Sequence, residues 1–168
     1  MQLHRTVISA ACVLGFTLAG APCSFAASSP VEVKIGFAAP LTGGQAHYGA
    51  DFRSGVELAI DDMNATNPVI GGKPVHFVLD GQDDQADPRT GTTVAQKLVD
   101  DGVAAVIGHY NSGTSIPAAP IYAKAGIPEI AMATAPTYTR LGLPTTFRLL
   151  TSDTQLGSVL GDYAVKGL

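Results

Sequence analysis

Tryptophan is absent from the 168 residues, aromatic residues make up only 7 %, and the two cysteines are Cys12 and Cys23. Both cysteines precede residue 27, inside a segment that reads as a removable leader. A mature chain from residue 27 would hold no thiol. That excludes a disulfide framework, a thiolate metal site and a cysteine nucleophile, even though export would permit disulfides. Basic charge is also scarce: beyond residue 26 there are nine Lys and Arg against fourteen Asp and Glu, a net charge of about −5. Nucleic acid binding needs a basic footprint that is missing here. Nucleotide motifs are missing too. Gly71-Gly-Lys-Pro74 lacks phosphate-loop spacing, and no Gly-x-Gly-x-x-Gly follows the first strand. No Gly-x-Ser-x-Gly elbow occurs. His47, His76 and His109 are scattered and show no metal-ligand spacing. Asp80, Asp83, Asp84 and Asp87 do not meet the calcium-loop pattern, so they are expected to form a solvated acidic loop. No cofactor and no metal are expected.

What is present begins with the leader. His4 and Arg5 supply a short basic start, Val7 to Ala19 an apolar run, and Ser24-Phe-Ala26 small residues suited to cleavage after Ala26 or Ala27. The run is short for a membrane anchor, which needs roughly 20 apolar residues. Pro22 directly before Cys23 argues against a lipid-modified cysteine. Residues 1–26 are therefore read as a secretory signal, and residues 27–168 as one domain, long enough to bury a single core.

Within that domain strand and helix patterns alternate. Val31–Ala39 reads as a strand that becomes buried toward its end. Pro40–Gly49 is a loop, and a helix is predicted over 50–64. Its apolar stripe is Phe52, Val56, Ala59, Ile60 and Met63. Val75–Leu79 is the second strand, and Asp80–Ala86 the acidic loop. Asp87-Pro88 caps and opens a helix to about Asp100, which buries Val94, Ala95, Leu98 and Val99 and is stopped by Gly102. Val103–Ile107 is wholly apolar, as a central parallel strand should be. A helix over 112–124 buries Ile116, Ala119 and Tyr122 and ends at Gly126. Strands follow over 127–131 and 146–150, separated by an irregular stretch over 134–144. A last helix, over 153–166, uses Leu156, Val159, Leu160 and Tyr163 as its inward face. Such alternation predicts an α/β fold, a doubly wound parallel sheet flanked by helices.

In that fold, ligands bind at the carboxyl edge of the strands. Two loops open there: Val106-Ile-Gly-His-Tyr-Asn-Ser-Gly-Thr-Ser-Ile-Pro117 and Ile130-Ala-Met-Ala-Thr-Ala-Pro-Thr-Tyr-Thr139. Ser112 and Gly113 lie at a helix N-terminus, where free N–H groups and the helix dipole suit a carboxylate. Met132, Ala133 and Thr134 follow a strand, so their backbone groups are free of the sheet ladder. The Met132 carbonyl could accept from an ammonium, and Thr134 could offer both N–H and hydroxyl. Tyr48 lies on the same edge and could wall an apolar side chain. Plainer roles stay open at this point: a capping serine, a strand-ending turn, a packed tyrosine. His109, three residues before Ser112, is weakly placed as a base, and no acid to orient it is identifiable in the sequence.

Several runs taken together carry a resemblance. They are Val33-Lys-Ile-Gly36, Pro40-Leu-Thr-Gly43, Tyr48-Gly49, Gly55-Val-Glu-Leu-Ala-Ile-Asp-Asp-Met-Asn64, Asp87-Pro88, Val106-Ile-Gly108, Ser112 and Ala133-Thr-Ala-Pro136. The chain resembles the branched-chain amino-acid-binding proteins, type I periplasmic binding proteins that feed ABC importers. The resemblance implies two similar lobes closing by a hinge on an amino acid. Ser112 would hold the ligand carboxylate, Thr134 carboxylate and ammonium, the Met132 backbone part of the ammonium, and Tyr48 the side chain. The implied setting is a monomer in the periplasm, partnered by an ABC permease of the inner membrane, without catalysis. Ala86 and Asn111 stand where some members carry a disulfide, and Met132 where a smaller residue is usual. The resemblance covers the first lobe only; the second lobe is missing from the sequence. Two alternatives accompany this expectation: a ligand-sensing module of the same fold for amides or other small molecules, and a secreted hydrolase using Ser112.

Overall fold

The computed structural model describes residues 29–167; the leader read over residues 1–26 lies outside them. The chain runs β1 (Val31–Ala39), a 3-10 turn (Gly43–Gln45), α1 (Ala46–Ala65), β2 (Val69–Ile70), β3 (Lys73–Asp83), α2 (Pro88–Asp100), β4 (Ala105–Gly108), α3 (Ser112–Ala125), β5 (Glu129–Ala131), α4 (Pro136–Thr139), β6 (Thr146–Arg148) and α5 (Asp153–Lys166). The strands form one sheet in the order β2-β3-β1-β4-β5-β6. All neighbours pair in parallel except β2 with β3, which form an antiparallel edge hairpin. From β1 the chain steps outward to β3 and then crosses back to β4 on the other side. The order reverses between β1 and β4, and that switch point is where an open α/β sheet leaves a crevice beyond its strand ends.

Helices cover both faces. Toward the buried end of β1 successive side chains turn to opposite faces of the sheet, with the two-residue period of a strand. Ala38 packs with Val94, Ala95 and Leu98 of α2 and Ala118 and Tyr122 of α3, while Phe37 and Ala39 pack with Val56 of α1. Asp87 caps α2 as its side chain accepts from the Arg89 and Thr90 amides. Gly126 ends α3 at φ 72°, a left-handed turn that glycine adopts at little steric cost.

Several boundaries and faces differ from the sequence reading: strands β4, β5 and β6 shift or shorten by one or two residues, and the short helix α4 lies within the stretch read as irregular. Helix α1 starts at Ala46 instead of Ala50, and its Ala59 and Met63 are exposed, leaving Val56 as its buried contact. β3 runs to Asp83, because pairing with β1 through Asp80–Asp83 draws half of the expected loop into the ladder. The remaining acids are not a solvated loop either. Asp83 accepts from the Leu41 amide at 2.8 Å and the Thr42 hydroxyl at 2.5 Å, and Asp84 is fully buried. Leu156, Val159, Leu160 and Tyr163 of α5 are exposed instead of inward, as none of the described elements packs closely against that helix. No described helix is long and apolar enough to cross a membrane.

One glycine sets the loop after β1. A Cβ on Gly49 would lie 1.9 Å from the Pro40 carbonyl oxygen and 2.7 Å from its carbon. Backbone against backbone cannot yield cheaply. Gly49→Ala is expected to cost about 3 kcal/mol, the upper end of overpacking penalties. Urea unfolding of the two chains measures it, and a loss under about 1 kcal/mol would show that the loop simply shifts.

Candidate functional site

Three strand-to-helix loops meet beyond the carboxyl ends of β1, β4 and β5. Ser112 is the first residue of α3, and Asn111 is its cap position, although Asn111 makes no side-chain cap bond. The Asn111 side-chain amide reaches across instead and donates to the Gln45 side chain at 2.8 Å, tying the β1 and β4 loops together. The Ser112 hydroxyl oxygen accepts from the Ala135 amide at 3.1 Å, tying the β4 and β5 loops. With one lone pair so used, the Ser112 hydrogen remains available to donate to a ligand oxygen. A Ser112 carrying its acceptor duty in this way is neither a simple cap nor an isolated nucleophile.

The β5 loop is held from behind by Arg148. Its guanidinium donates to the carbonyls of Ala133 and Thr134 at 3.4 Å each, to that of Ala135 at 2.9 Å, and to the Thr139 hydroxyl at 2.9 Å. Arginine's rigid fork suits such multiple capture. The result is a loop whose carbonyls are engaged on one side.

The surface between these loops is a continuous cleft in two parts. One part, about 290 Å³, is lined by Tyr110, Asn111, Ser112, Met132, Thr134 and Leu150. The other, about 300 Å³, is lined by Tyr48, Asp51, Phe52, Tyr110 and Met132. Tyr110 and Met132 belong to both. Tyr48 and Tyr110 stack with ring centres 5.7 Å apart and planes 9° apart, and Phe52 lies 6.3 Å from Tyr110. A larger depression of about 510 Å³ lies elsewhere, between α2 and the C-terminal half of α3. It is a groove between two packed helices, remote from the strand ends, and brings together none of the loop residues.

Of the residues singled out from sequence, Ser112, Met132 and Thr134 share one part of the cleft, and Tyr48 lines the adjoining part. Ala133 is fully buried beneath the surface, packed with Ala119, Ala131 and Tyr138, and Gly113 is exposed but lines neither part. Tyr110, Asn111, Phe52, Asp51 and Leu150 were missed as lining residues. Tyr110 and Asn111 immediately precede Ser112, so adjacency was the available signal. Phe52 had been absorbed into the helix stripe, and nothing local marks Leu150.

His109 is fully buried, with Nδ1 2.7 Å from Asp84 Oδ2 and Nε2 3.2 Å from the Tyr122 hydroxyl. Asp84 also accepts from the Ala86 amide at 2.9 Å. The orienting acid unseen in the sequence is therefore Asp84, 25 residues away. Both ring nitrogens are occupied by partners other than Ser112. The His109 carbonyl in turn accepts from the Met132 amide at 3.1 Å and the Ser115 hydroxyl at 3.3 Å. The network thus braces the floor on which Ser112 and Met132 stand. Beside it, Glu129 is fully buried, and its carboxylate oxygens have no hydrogen-bond partner among the described residues. Burial, only partly offset by the nearby Tyr138 hydroxyl and His109 amide, pushes its carboxyl up to about 8. Burial, reinforced by Glu129, also pushes the Tyr122 and Tyr138 hydroxyls well above the ordinary tyrosine range. Among the described residues no group of three or more His, Cys, Asp or Glu is placed to hold a metal ion.

A doubly wound lobe with an open cleft at its switch point is an architecture that holds a ligand beyond its strand ends. The family profile described as "Periplasmic binding protein" matches residues 32–168. The chain belongs to that family. It is 43 % identical over 141 residues to Leu/Ile/Val-binding protein homolog 1 of Brucella abortus, a match covering 83 % of this chain and 37 % of that protein. It is similar in structure to the branched-chain amino acid transporter substrate-binding protein LivJ of Streptococcus pneumoniae, solved with isoleucine. There the TM-score is 0.73 and the identity 30 %, over 80 % of this chain and 38 % of that one. It is also similar to a solute-binding protein of an ABC transporter from Rhodopseudomonas palustris, solved with 3,4-dihydroxybenzoic acid. In that case the TM-score is 0.69 and the identity 30 %, over 81 % of this chain and 36 % of that one. The chain thus spans little more than a third of the length of these relatives.

Proposed function

We propose that this chain is the N-terminal lobe of an extracytoplasmic solute-binding component of an ABC importer, and that it captures a branched-chain or related amino acid. The observation that carries the reading is the Ser112–Ala135 hydrogen bond at the head of α3, which brings the two candidate carboxylate-binding loops into one cleft. The Ser112 hydroxyl and the first α3 amides, Gly113 included, take the ligand carboxylate. Thr134 takes carboxylate and ammonium, and the Met132 carbonyl accepts part of the ammonium. Tyr48, with Tyr110, walls the side chain. The relatives that are Leu/Ile/Val-binding proteins support this ligand class. Residues 1–26 would deliver the chain to the periplasm, where a second lobe, as a monomeric unit with this one, would present ligand to an inner-membrane permease. No chemistry is performed: His109 is committed to Asp84 and Tyr122, so a hydrolase reading lacks its base.

The energetics follow from the open cleft. Charge-assisted hydrogen bonds contribute roughly 1.5–3 kcal/mol each, and three or four of them must offset about 4–15 kcal/mol of lost translational and rotational freedom. Micromolar affinity needs about 8 kcal/mol net. A single lobe, with the ligand's other face in water, is therefore expected to bind in the millimolar range.

The test is a nuclear magnetic resonance titration of the isotopically labelled chain with leucine, isoleucine and valine at several millimolar. Resonances around residues 112 and 134 are expected to move. Ser112→Ala is expected to weaken binding by about 1–3 kcal/mol, so that the same additions barely register. An unchanged dissociation constant in that variant would remove the carboxylate assignment.

A further inference from the structure

The second part of the cleft holds a group that the capture of a plain aliphatic side chain leaves unused. Asp51 lines it together with Tyr48, Phe52, Tyr110 and Met132. Asp51 has no ion-pair or hydrogen-bond partner among the described residues. Its neighbour Arg53 is committed elsewhere: its Nε donates to Glu57 at 2.7 Å, and its guanidinium lies against Gly81. The His47 imidazole lies against Tyr48, with ring centres 3.9 Å apart and planes tilted by 41°. A carboxylate set against two tyrosine rings and a phenylalanine makes an electron-rich pocket. Ring faces are negative and attract positive charge, and a carboxylate only accepts hydrogen bonds. For a leucine or valine side chain, Asp51 brings nothing but a polar group to keep solvated.

The two ends of the cleft therefore differ in sign. One end offers the Ser112 hydroxyl and the α3 N-terminus, which suit an anion. The other offers Asp51 beside aromatic walls, which suits a positively polarised hydrogen-bond donor. Tyr110 and Met132 line the passage between them. We infer that, among the carboxylate ligands Ser112 would take, the cleft prefers those whose far end carries a hydrogen-bond donor, either a terminal ammonium or a phenolic hydroxyl, received by Asp51, with the body of the ligand lying against Tyr48 and Tyr110. This rests on the assignment of the carboxylate to Ser112 and names the substrate class of that same site. Tyr48 and Tyr110 are only 5.7 Å apart and nearly parallel, so a ligand ring lies against this stacked pair and is not inserted into it.

The experiment uses matched pairs that differ only in the distal donor: lysine against norleucine, tyrosine against phenylalanine, and 4-hydroxybenzoate against benzoate, with leucine as a reference. Each is titrated into the labelled chain and followed at the resonances of residues 48–52, 110–112 and 132–134. The donor-bearing member of at least one pair is expected to bind about 3- to 10-fold more tightly than its partner and than leucine. Asp51→Ala, at an exposed position where alanine favours the helix, is expected to erase that preference, so that the two members of each pair bind alike. The ammonium and hydroxyl pairs tell the two kinds of donor apart. Equal affinities within every pair, or a preference that survives Asp51→Ala, would overturn the inference. Ser112→Ala separates the two levels. If it weakens every compound while Asp51→Ala is silent, the carboxylate assignment stands and this inference falls. If Ser112→Ala is itself without effect on compounds that bind, the assignment beneath it falls as well.

Discussion

Glu129→Gln is expected to stabilise the chain at pH 8 by roughly 4–5 kcal/mol and to do almost nothing near pH 4. Glu129 is fully buried, its carboxylate oxygens lack partners among the described residues, and its carboxyl is pushed from 4.5 up to about 8. Below pH 4.5 the acid is protonated whether the chain is folded or not, so it is neutral in linkage terms. Between about pH 4.5 and 8 the unfolded chain gives up the proton while the folded chain must keep it. Stability from this group is therefore fully present below 4.5 and is lost as pH rises to about 8, above which the loss levels off. At about 1.4 kcal/mol per pKa unit, the displacement sets the size of the gain. Glutamine mimics the protonated acid and cannot ionise. Thermal melts of both chains between pH 4 and 9 provide the check: the difference should grow with pH to on the order of 10 °C. A difference of equal size at pH 4 and pH 8 would show that Glu129 is not held protonated by burial.

Asp84→Ala is expected to have the opposite sign. The side chain makes one buried contact, with His109 Nδ1 at 2.7 Å, and one partly buried contact, with the Ala86 amide at 2.9 Å. Alanine would leave the His109 ring nitrogen unmatched in the interior. Breaking a buried pair by removing one partner costs about 3–5 kcal/mol, and leaving buried donors unsatisfied accounts for much of that. Urea unfolding is expected to show the midpoint falling with the slope unchanged. Asp84→Asn, which keeps the shape and one acceptor, should lose distinctly less. A cost for Asp84→Ala below about 1 kcal/mol would mean that the His109 network contributes little. The same variants report on the cleft, since the His109 carbonyl holds the Met132 amide. Loss of exchange protection at the Met132 amide in Asp84→Ala would trace that link directly.

These two predictions rest on residues that the sequence left ambiguous. His109 reads as a scattered histidine, only weakly placed as a base, and Asp84 as one of several acids in a loop. Their pairing spans 25 residues, and Tyr122 joins from another 13 residues on. No local pattern encodes which of four neighbouring aspartates will turn inward. Glu129 is harder still, since a single acid in a short apolar run looks like an interruption of the strand. Arg148 grips three carbonyls of the Thr134 loop only because β6 pairs beside β5. Helix α5 is the reverse case. Its apolar stripe is plain in the sequence, yet those side chains are exposed and none of the described elements packs closely against them.

Ser112 and Thr134 were legible for a different reason. Helix starts, glycine stops and apolar runs are local signals, and they suffice to order strands and helices along the chain. Parallel strands with helical crossovers then place every strand-to-helix loop on one edge of the sheet. The sequence by itself therefore determined the α/β alternation, the shared edge and the family to which the chain belongs. The tertiary structure alone decided which acids are buried, which hydroxyl is tied to which amide, and that Asp51 lines the same part of the cleft as Tyr48 and Tyr110. Those features depend on contacts between residues far apart in the chain. Their partners are chosen by packing and by the need to satisfy buried polar groups, and neither leaves a periodic trace in the sequence.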